Sequence, residues 1–278
     1  MSNYVLLVDC KDEKGLIHKI TGILFNQSLN IISNNEFVEE EKNHFFMRSE
    51  FTGDINGDAI ITQVKSVLPK NSYVNLIKQR KKKIVIFTTK EHHCLGDLLI
   101  KNEYNEMNAE ILGVIANYPD LESLVNKFKI PFHFISHQNK TRENHEEEIL
   151  KLLENYSPDY LVLAKYMRIF TSKFVSLYRD RIINIHHSFL PAFIGANPYE
   201  QAFNRGVKII GATSHFVNEN LDEGPIIVQE IIPIDHKYSV NDMKHAGREV
   251  EIFALSKALK LVLEDRVFIS GNKTIIFQ

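Results

Sequence analysis

Ile84-Val85-Ile86-Phe87-Thr88-Thr89 runs four residues without a polar side chain before it meets two threonines. A run this short, apolar on both alternating faces, reads as a strand covered from both sides. The pattern recurs at Glu110 to Ala116, Phe132 to Ile135, Tyr160 to Leu163 and Ile182 to Ile185. Helical periodicity lies between these runs, as at Leu121 to Phe128 and Glu143 to Asn155. Buried strands alternating with helices predict an α/β fold: a Rossmann-like, mostly parallel sheet with helices on both faces.

The last of these runs leads straight into chemistry. Ile182-Ile183-Asn184-Ile185-His186-His187-Ser188-Phe189-Leu190-Pro191 begins as a strand and breaks at once into a loop. Side chains on a strand alternate, so Asn184 and His186 share a face. Leu221-Asp222-Glu223-Gly224-Pro225 follows some thirty residues later and brings a carboxylate. An amide, an imidazole and a carboxylate suit attack on a carbonyl, with two groups for the oxyanion and one to activate water. The strand end is where ligands bind in open α/β sheets. The residues alone also fit a plainer use, in which Asn184 and His186 only satisfy backbone groups where strand becomes loop.

Toward the C-terminus, Asn197-Pro198-Tyr199-Glu200 predicts a helix start, with Asn at the N-cap and Pro first in the helix. Ile209 to Val217 and Ile226 to Ile232 predict strands around the Asp222 loop. Ser239-Val240-Asn241-Asp242 opens a long helix to about Glu264, and Arg266 to Gln278 reads as a closing hairpin around Gly271-Asn272.

Toward the N-terminus the order is βαββαβ, the split βαβ or ferredoxin-like arrangement. Residues 4 to 9 are a strand, Asp12 to Gly15 a turn, and about Leu16 to Gln27 a helix. Asn30 to Phe37 and His44 to Phe51 are strands joined by the acidic tip Glu39-Glu40-Glu41. About Asp58 to Leu68 is a helix and Tyr73 to Ile77 a strand. Seven Lys/Arg stand against ten Asp/Glu through Ile77, and the basic run Lys78-Gln79-Arg80-Lys81-Lys82-Lys83 follows. That shift predicts a boundary near residue 80, giving domains 1–80 and 81–278, with the basic run as a solvated connector or, alternatively, a docking patch.

The 278 residues suit two domains, and 44% hydrophobic with 24% charged residues is an ordinary globular composition. A net charge of -2 offers no electrostatic footprint for nucleic acid or an anionic membrane. Two cysteines, Cys10 and Cys94, cannot build a disulfide framework. No basic, apolar leader precedes Asp9, and no apolar run reaches the roughly 18 residues of a membrane span. A cytoplasmic protein with no nucleic-acid or membrane partner is expected.

Other residues carry competing readings. His186 and His187 are adjacent and point apart on extended backbone, and no His-Glu-x-x-His or Cys-x-x-Cys occurs, so no metal site is expected. His215 shares a strand face with Thr213 and Val217 and serves either to support Asp222 or to fill the core. Lys90-Glu91-His92-His93-Cys94 follows the first strand of the second domain with no glycine between Ile84 and Leu95, so it is poorly built to cradle a phosphate. His93 and Cys94 read as edge-of-site or packing residues, and nothing marks Cys94 as a nucleophile. Ala164-Lys165-Tyr166-Met167-Arg168-Ile169 mixes apolar and polar groups at another strand end, which fits a planar ligand with hydrogen-bonding edges.

Several of these segments match known families. Asn184-x-His186-x-Ser188-x-Leu190-Pro191, Leu221-Asp222-x-Gly224-Pro225 and Met167-Arg168-Ile169 resemble the formyltetrahydrofolate-utilising formyltransferase fold. Asp12-x-x-Gly15-Leu16-Ile17 after the first strand is similar to an ACT domain, a small-molecule sensing module that usually pairs its sheets. Together with Lys90-Glu91-x-His93-Cys94-Leu95-Gly96-Asp97-Leu98, Ile130-Pro131-Phe132-His133-Phe134-Ile135 and Gly195-Ala196-Asn197-Pro198-Tyr199-x-Gln201-Ala202, they resemble the formyltetrahydrofolate deformylases over nearly the whole chain.

The resemblance implies hydrolysis of 10-formyltetrahydrofolate, its substrate, to tetrahydrofolate and formate, with no separate cofactor. It also implies a supply of formate for purine synthesis and a balance of one-carbon folates. Asn184, His186 and Asp222 become the catalytic trio, with His215 and His93 beside it, and Met167, Arg168 and Ile169 part of the folate pocket. Asp12, Gly15 and Leu16 become an effector site for a small ligand, most naturally an amino acid, in an even-numbered homo-oligomer, a dimer or tetramer. Asp222 is expected to gain proton affinity from partial burial.

The glycine-free loop departs from the glycinamide-ribonucleotide formyltransferases, which use glycine there to hold a phosphate. Water is then the acceptor. The methionyl-tRNA formyltransferases share the motif but imply a trailing barrel that this length does not accommodate. Transfer to a small amine, or a non-catalytic folate or amino-acid sensor, are the competing functions.

Overall fold

The structure is a computed structural model that describes residues 2–191 and 197–278. Gly195 and Ala196 of the matched segment lie outside the described residues. The chain divides into two compact units, Met1–Arg80 with Phe277–Gln278, and Lys81–Ile276.

The first unit is built from β1 (Ser2–Lys11), α1 (Leu16–Asn26), β2 (Asn30–Glu39), β3 (His44–Gly53), α2 (Gly57–Val67) and β4 (Tyr73–Lys78). Its strands form an antiparallel sheet in the order β2-β3-β1-β4. Leu16, Ile20 and Leu24 of α1 and Ile60 and Val64 of α2 pack on Leu6, Val8, Phe45, Met47 and Phe51 of the sheet. Gly15 holds φ +89 at the start of α1, a left-handed conformation that suits glycine.

The second unit holds β5 (Lys82–Thr88), α3 (His93–Glu103), β6 (Ala109–Ala116), α4 (Glu122–Asn126), β7 (Phe132–Phe134), α5 (Arg142–Tyr156), β8 (Tyr160–Leu163), α6 (Ser172–Leu177), β9 (Ile182–His186), α7 (Pro198–Arg205), β10 (Ile209–Phe216), β11 (Ile226–Pro233), α8 (Val240–Leu263), β12 (Val267–Ser270) and β13 (Lys273–Ile276). Seven strands form one sheet in the order β11-β10-β9-β8-β5-β6-β7. β5 to β9 run parallel to one another, and β10 and β11 continue the sheet antiparallel.

Alternation explains the unbroken apolar runs. Ile84, Ile86, Val162, Ile183 and Ile185 pack under α3 and α8. Val85, Phe87, Leu161, Leu163 and Ile182 pack under α5 and α6. Both faces of each strand are therefore buried.

Three local readings are corrected. α3 begins at His93, within the stretch read as a loop, and carries Cys94, Leu95, Leu98 and Leu99 into the core. The basic run is not a solvated connector throughout: Lys82 is buried and its Nζ lies 2.9 Å from Asp265 Oδ1. Asn197 stands at the N-cap of α7, but in a left-handed conformation without a side-chain capping bond. Among the described residues, no helix is long and apolar enough to cross a membrane.

Candidate active site

The chain adds β6 and β7 on one side of β5, then returns to place β8 and β9 on the other. The reversal leaves a crevice outside the carboxyl ends of β5 and β8, where α/β sheets bind ligands. A cavity of about 770 Å³ opens there. It is lined by Asn184, His186, His215 and Asp222 and by Met167, Arg168 and Ile169, among others.

β9 supplies Asn184 and His186, and the antiparallel register sets His215 of β10 opposite Asn184. The register shifts between Ser214 and His215, an irregularity of the kind that re-aims a side chain. Asn184 Nδ2 donates toward His215 Nε2 at 3.2 Å, which leaves its second N–H for another acceptor. His215 Nδ1 lies 2.8 Å from the Phe216 carbonyl, to which it donates, fixing the ring.

Asp222 arrives on the loop between β10 and β11, with φ 56, a left-handed conformation that Asp tolerates. Gly224 explains that loop's path: a Cβ there would stand 1.7 Å from the Phe216 carbonyl oxygen, so only glycine passes. Asp222 Oδ2 lies 3.3 Å from His186 Nδ1 and Oδ1 lies 3.7 Å from His215 Nε2. The structure thus gathers Asn184, His186, His215 and Asp222 into one group.

Burial pushes the Asp222 carboxyl upward. The adjoining His186 ring, and beyond it the His215 ring, pull it further down, so the net shift is well below the ordinary carboxylate range. The expectation that burial raises its proton affinity is corrected: two imidazoles outweigh desolvation, and Asp222 is a permanent anion. His186 Nδ1 faces that anion, while Nε2 is buried without a hydrogen-bond partner. A buried nitrogen in that position has room in its bonding for a further partner.

Met167 and Ile169 are 61% and 48% exposed, between Tyr166 and Phe170, which are 6% and 8% exposed. Tyr166 stacks on Phe170 at 5.4 Å and Phe170 on Phe174 at 4.1 Å. Thr171 donates its backbone N–H to the buried Glu146 at 2.7 Å. These anchors hold residues 167–169 out toward the cavity, and Met167 N–H donates to Thr89 Oγ1 at 3.0 Å.

Sequence reasoning missed a second polar group on the cavity wall. Glu251 of α8 is 1% exposed. It accepts from Tyr199 Oη at 2.7 Å and lies 2.8 Å from His93 Nε2 and 3.1 Å from Lys165 Nζ. Burial pushes its carboxyl upward, but the His93 hydrogen bond, the Lys165 charge and the Tyr199 hydrogen bond hold it at about 2. A signal existed in the sequence: Gly247, Val250, Ala254, Leu255 and Ala258 mark a buried stripe, and Glu251 falls on it. His93 thus joins Glu251, not Asp222.

His187 lines the same cavity between the two groups, with ring centroids 5.0 Å from His186 and 6.3 Å from Tyr199. Burial, then the Lys165 and His186 charges, push its imidazole down to about 4. Cys94 is 1% exposed and burial pushes its thiol up, so it is no nucleophile. Donor atoms of His93, Cys94 and Glu251 lie within 4.8 Å of one another. The Lys165 ammonium already satisfies the carboxylate there, which sets a cation against a cation.

In the first unit, Asp12 N–H donates to the Asn43 carbonyl at 2.9 Å. The space around Gly15 is open, so its glycine answers to φ and not to crowding. Leu16 is 2% exposed and belongs to the core, so of this residue only the backbone is left to meet a ligand.

Fold and site together define a formyltransferase-type catalytic unit joined to an ACT unit. Residues 82–259 match the Formyl transferase family and residues 4–69 match the ACT domain. The chain is 53% identical over 272 residues to a formyltetrahydrofolate deformylase of Haemophilus influenzae, covering 98% of each. It superposes on the crystal structure of a formyltetrahydrofolate deformylase from Pseudomonas syringae with a TM-score of 0.96 at 35% identity, over 100% of this chain and 95% of that one. A glycinamide ribonucleotide transformylase from Symbiobacterium toebii superposes with a TM-score of 0.68 at 28% identity, over 73% of this chain and 98% of that one. The chain belongs to the formyltetrahydrofolate deformylase family.

Proposed function

We propose that this protein is a hydrolase that cleaves 10-formyltetrahydrofolate to tetrahydrofolate and formate, with Asn184, His186 and Asp222 as its catalytic residues. The observation that carries the residue assignment is the meeting of Asp222, His186 and Asn184 at one end of a cavity of ligand size. The folate lies with its pteridine edge against the backbone of Met167, Arg168 and Ile169, in the manner of a planar ligand on an anchored loop.

Water attacks the formyl carbon directly. Asp222 accepts a hydrogen bond from that water and orients it. As the C–O bond forms, the water becomes strongly acidic, and a weak base suffices to take its proton into the Asp222–His186 pair, where it lands on His186 Nε2 while Asp222 holds the Nδ1–H. The second N–H of Asn184 and the Nε2–H so formed donate to the developing oxyanion. Collapse breaks the C–N bond, and the proton passes through His186 to the leaving nitrogen. Formate and tetrahydrofolate result.

Asp222→Asn tests this assignment. Folate binding is retained, because the folate pocket is untouched, while formate release falls by about 10³-fold or more, since both water orientation and the His186 tautomer depend on the carboxylate. Near-normal turnover by that variant removes Asp222 from the mechanism.

The ACT unit carries a second role. It binds a small effector, an amino acid by the chemistry such domains favour, near the Asp12 to Gly15 turn, and it pairs with a second copy in an even-numbered homo-oligomer. The formate released serves purine synthesis and rebalances one-carbon folates.

A further inference from the structure

We propose that Lys165, held by Glu251 with His93 and Tyr199, is a specificity determinant that bars amine acceptors from the formyl carbon and leaves water as the only nucleophile. This inference rests on the hydrolytic reading above. Four observations carry it.

First, the cluster lines the same cavity as Asn184, His186 and Asp222, so it bounds the space a co-reactant must use. Second, Lys165 is placed at a cost. Its backbone stands at φ 63, in the left-handed region that a residue of this kind seldom adopts, and its side chain is 9% exposed. A lysine left free would extend to water, so the ammonium is kept inside by the carboxylate of Glu251 at 3.1 Å. Third, Glu251 is itself fixed from three sides, because His93, Tyr199 and Lys165 all meet it. Tyr199 reaches it only because α8 has Gly247 there: a Cβ on Gly247 would stand 2.0 Å from the Tyr199 hydroxyl. Fourth, His187 lies between the cluster and the catalytic group, with ring centroids 5.0 Å from His186 and 6.3 Å from Tyr199, so the lysine cluster stands beside the reacting centre.

A primary amine reaches an enzyme at neutral pH mainly as an ammonium ion, and must also fit as a larger body than water. A fixed buried ammonium repels the first and occupies room needed by the second, while neutral water passes. The transformylase of Symbiobacterium toebii shares the fold and by its name acts with glycinamide ribonucleotide. On a shared fold, discrimination between the two nucleophiles lies in the groups that line the site. The reaction held back is balanced: the amine nitrogen bonds to the formyl carbon, the bond to the folate nitrogen breaks, and the amine proton moves to that nitrogen.

The test is product partition. Wild type, Lys165→Ala and the charge-balanced double variant Lys165→Ala/Glu251→Gln are incubated with 10-formyltetrahydrofolate, with and without glycinamide at high concentration. Formate and N-formylglycinamide are both quantified by mass spectrometry. Wild type yields formate with no enzymatic N-formylglycinamide. The variants are expected to raise the ratio of N-formylglycinamide to formate at least tenfold, a readout that mere loosening of the fold does not move. A variant that still releases formate, with the wild-type product ratio, overturns the proposal; the double variant carries the test if the single one does not fold. No formate from wild type would instead strike the hydrolytic reading itself, and this inference with it.

Discussion

Asp222 shows how neighbours override burial at a single residue. Its carboxyl is largely enclosed, yet two imidazoles keep it ionised, so in the proposed mechanism it serves as an orienting anion more than as a strong base. In the same proposed mechanism Asn184 donates to an oxyanion that exists only after attack. Asn184→Ala is therefore expected to lower kcat by about 10²–10³-fold with little change in KM; steady-state formate release checks it, and a kcat within about threefold of wild type sinks the oxyanion role. His187 gives a prediction about stability. Its imidazole is neutral in the fold down to about pH 4, while in the unfolded chain it takes up a proton near pH 6.5. As pH falls from 6.5 to 4 the unfolded state gains that proton and the native state does not, so stability falls, by up to about 1.4 kcal/mol per pH unit. His187→Gln should flatten that slope in urea titrations at pH 7, 6 and 5; an unchanged slope refutes it. The polar set Asn184, His186 and Asp222 could be picked out from residue types and spacing. The meeting of Glu251 with Lys165 could not, because nothing local in the sequence says that a charge on a helix stripe and one after a strand will come together.

Elements were read best where one face or two are buried in a regular way. β5, β6, β8 and β9 were legible because a strand sandwiched between helix layers must be apolar at every position. α3 was not, since it has no capping side chain at its start, where His92 is helical and makes no capping bond. It is held by Cys94, Leu95, Leu98 and Leu99 packing into the core, a tertiary effect that overrides weak local signals. The direction of β10 and β11 was equally out of reach, as an apolar run carries no mark of parallel or antiparallel pairing. The loop between those two strands depends on one residue. Gly224→Ala forces a methyl to within 1.7 Å of the Phe216 carbonyl, so the loop must move and carry Asp222 away from His186. Formate release should drop by at least about 10²-fold, in keeping with misplacing a catalytic group by an ångström. Circular dichroism should still report a folded protein. Wild-type activity in that variant would show that the loop has room the structure denies.

At the scale of the whole molecule, an ACT unit and a formyltransferase-type unit share one chain. If the first unit senses an amino acid, binding should shift the affinity of the second for its folate by a coupling of about 1–3 kcal/mol, or roughly 5–150-fold. Isothermal titration of the full chain with the common amino acids, followed by KM for 10-formyltetrahydrofolate with each binder, checks this. No heat from any of them and an unmoved KM would leave the unit with assembly alone. The order of strands, the two-unit organisation and the polar residues at the β9 end follow from the chain itself, because hydrophobic period and chain-breaking residues are local and survive without any partner. The ionisation of Asp222, the alliance of His93 with Glu251, the inward lysine at 165 and the loop passage at Gly224 were decided only in three dimensions. Each depends on distances between segments far apart in the chain, and electrostatic and steric energies follow distance through space, to which sequence order is blind.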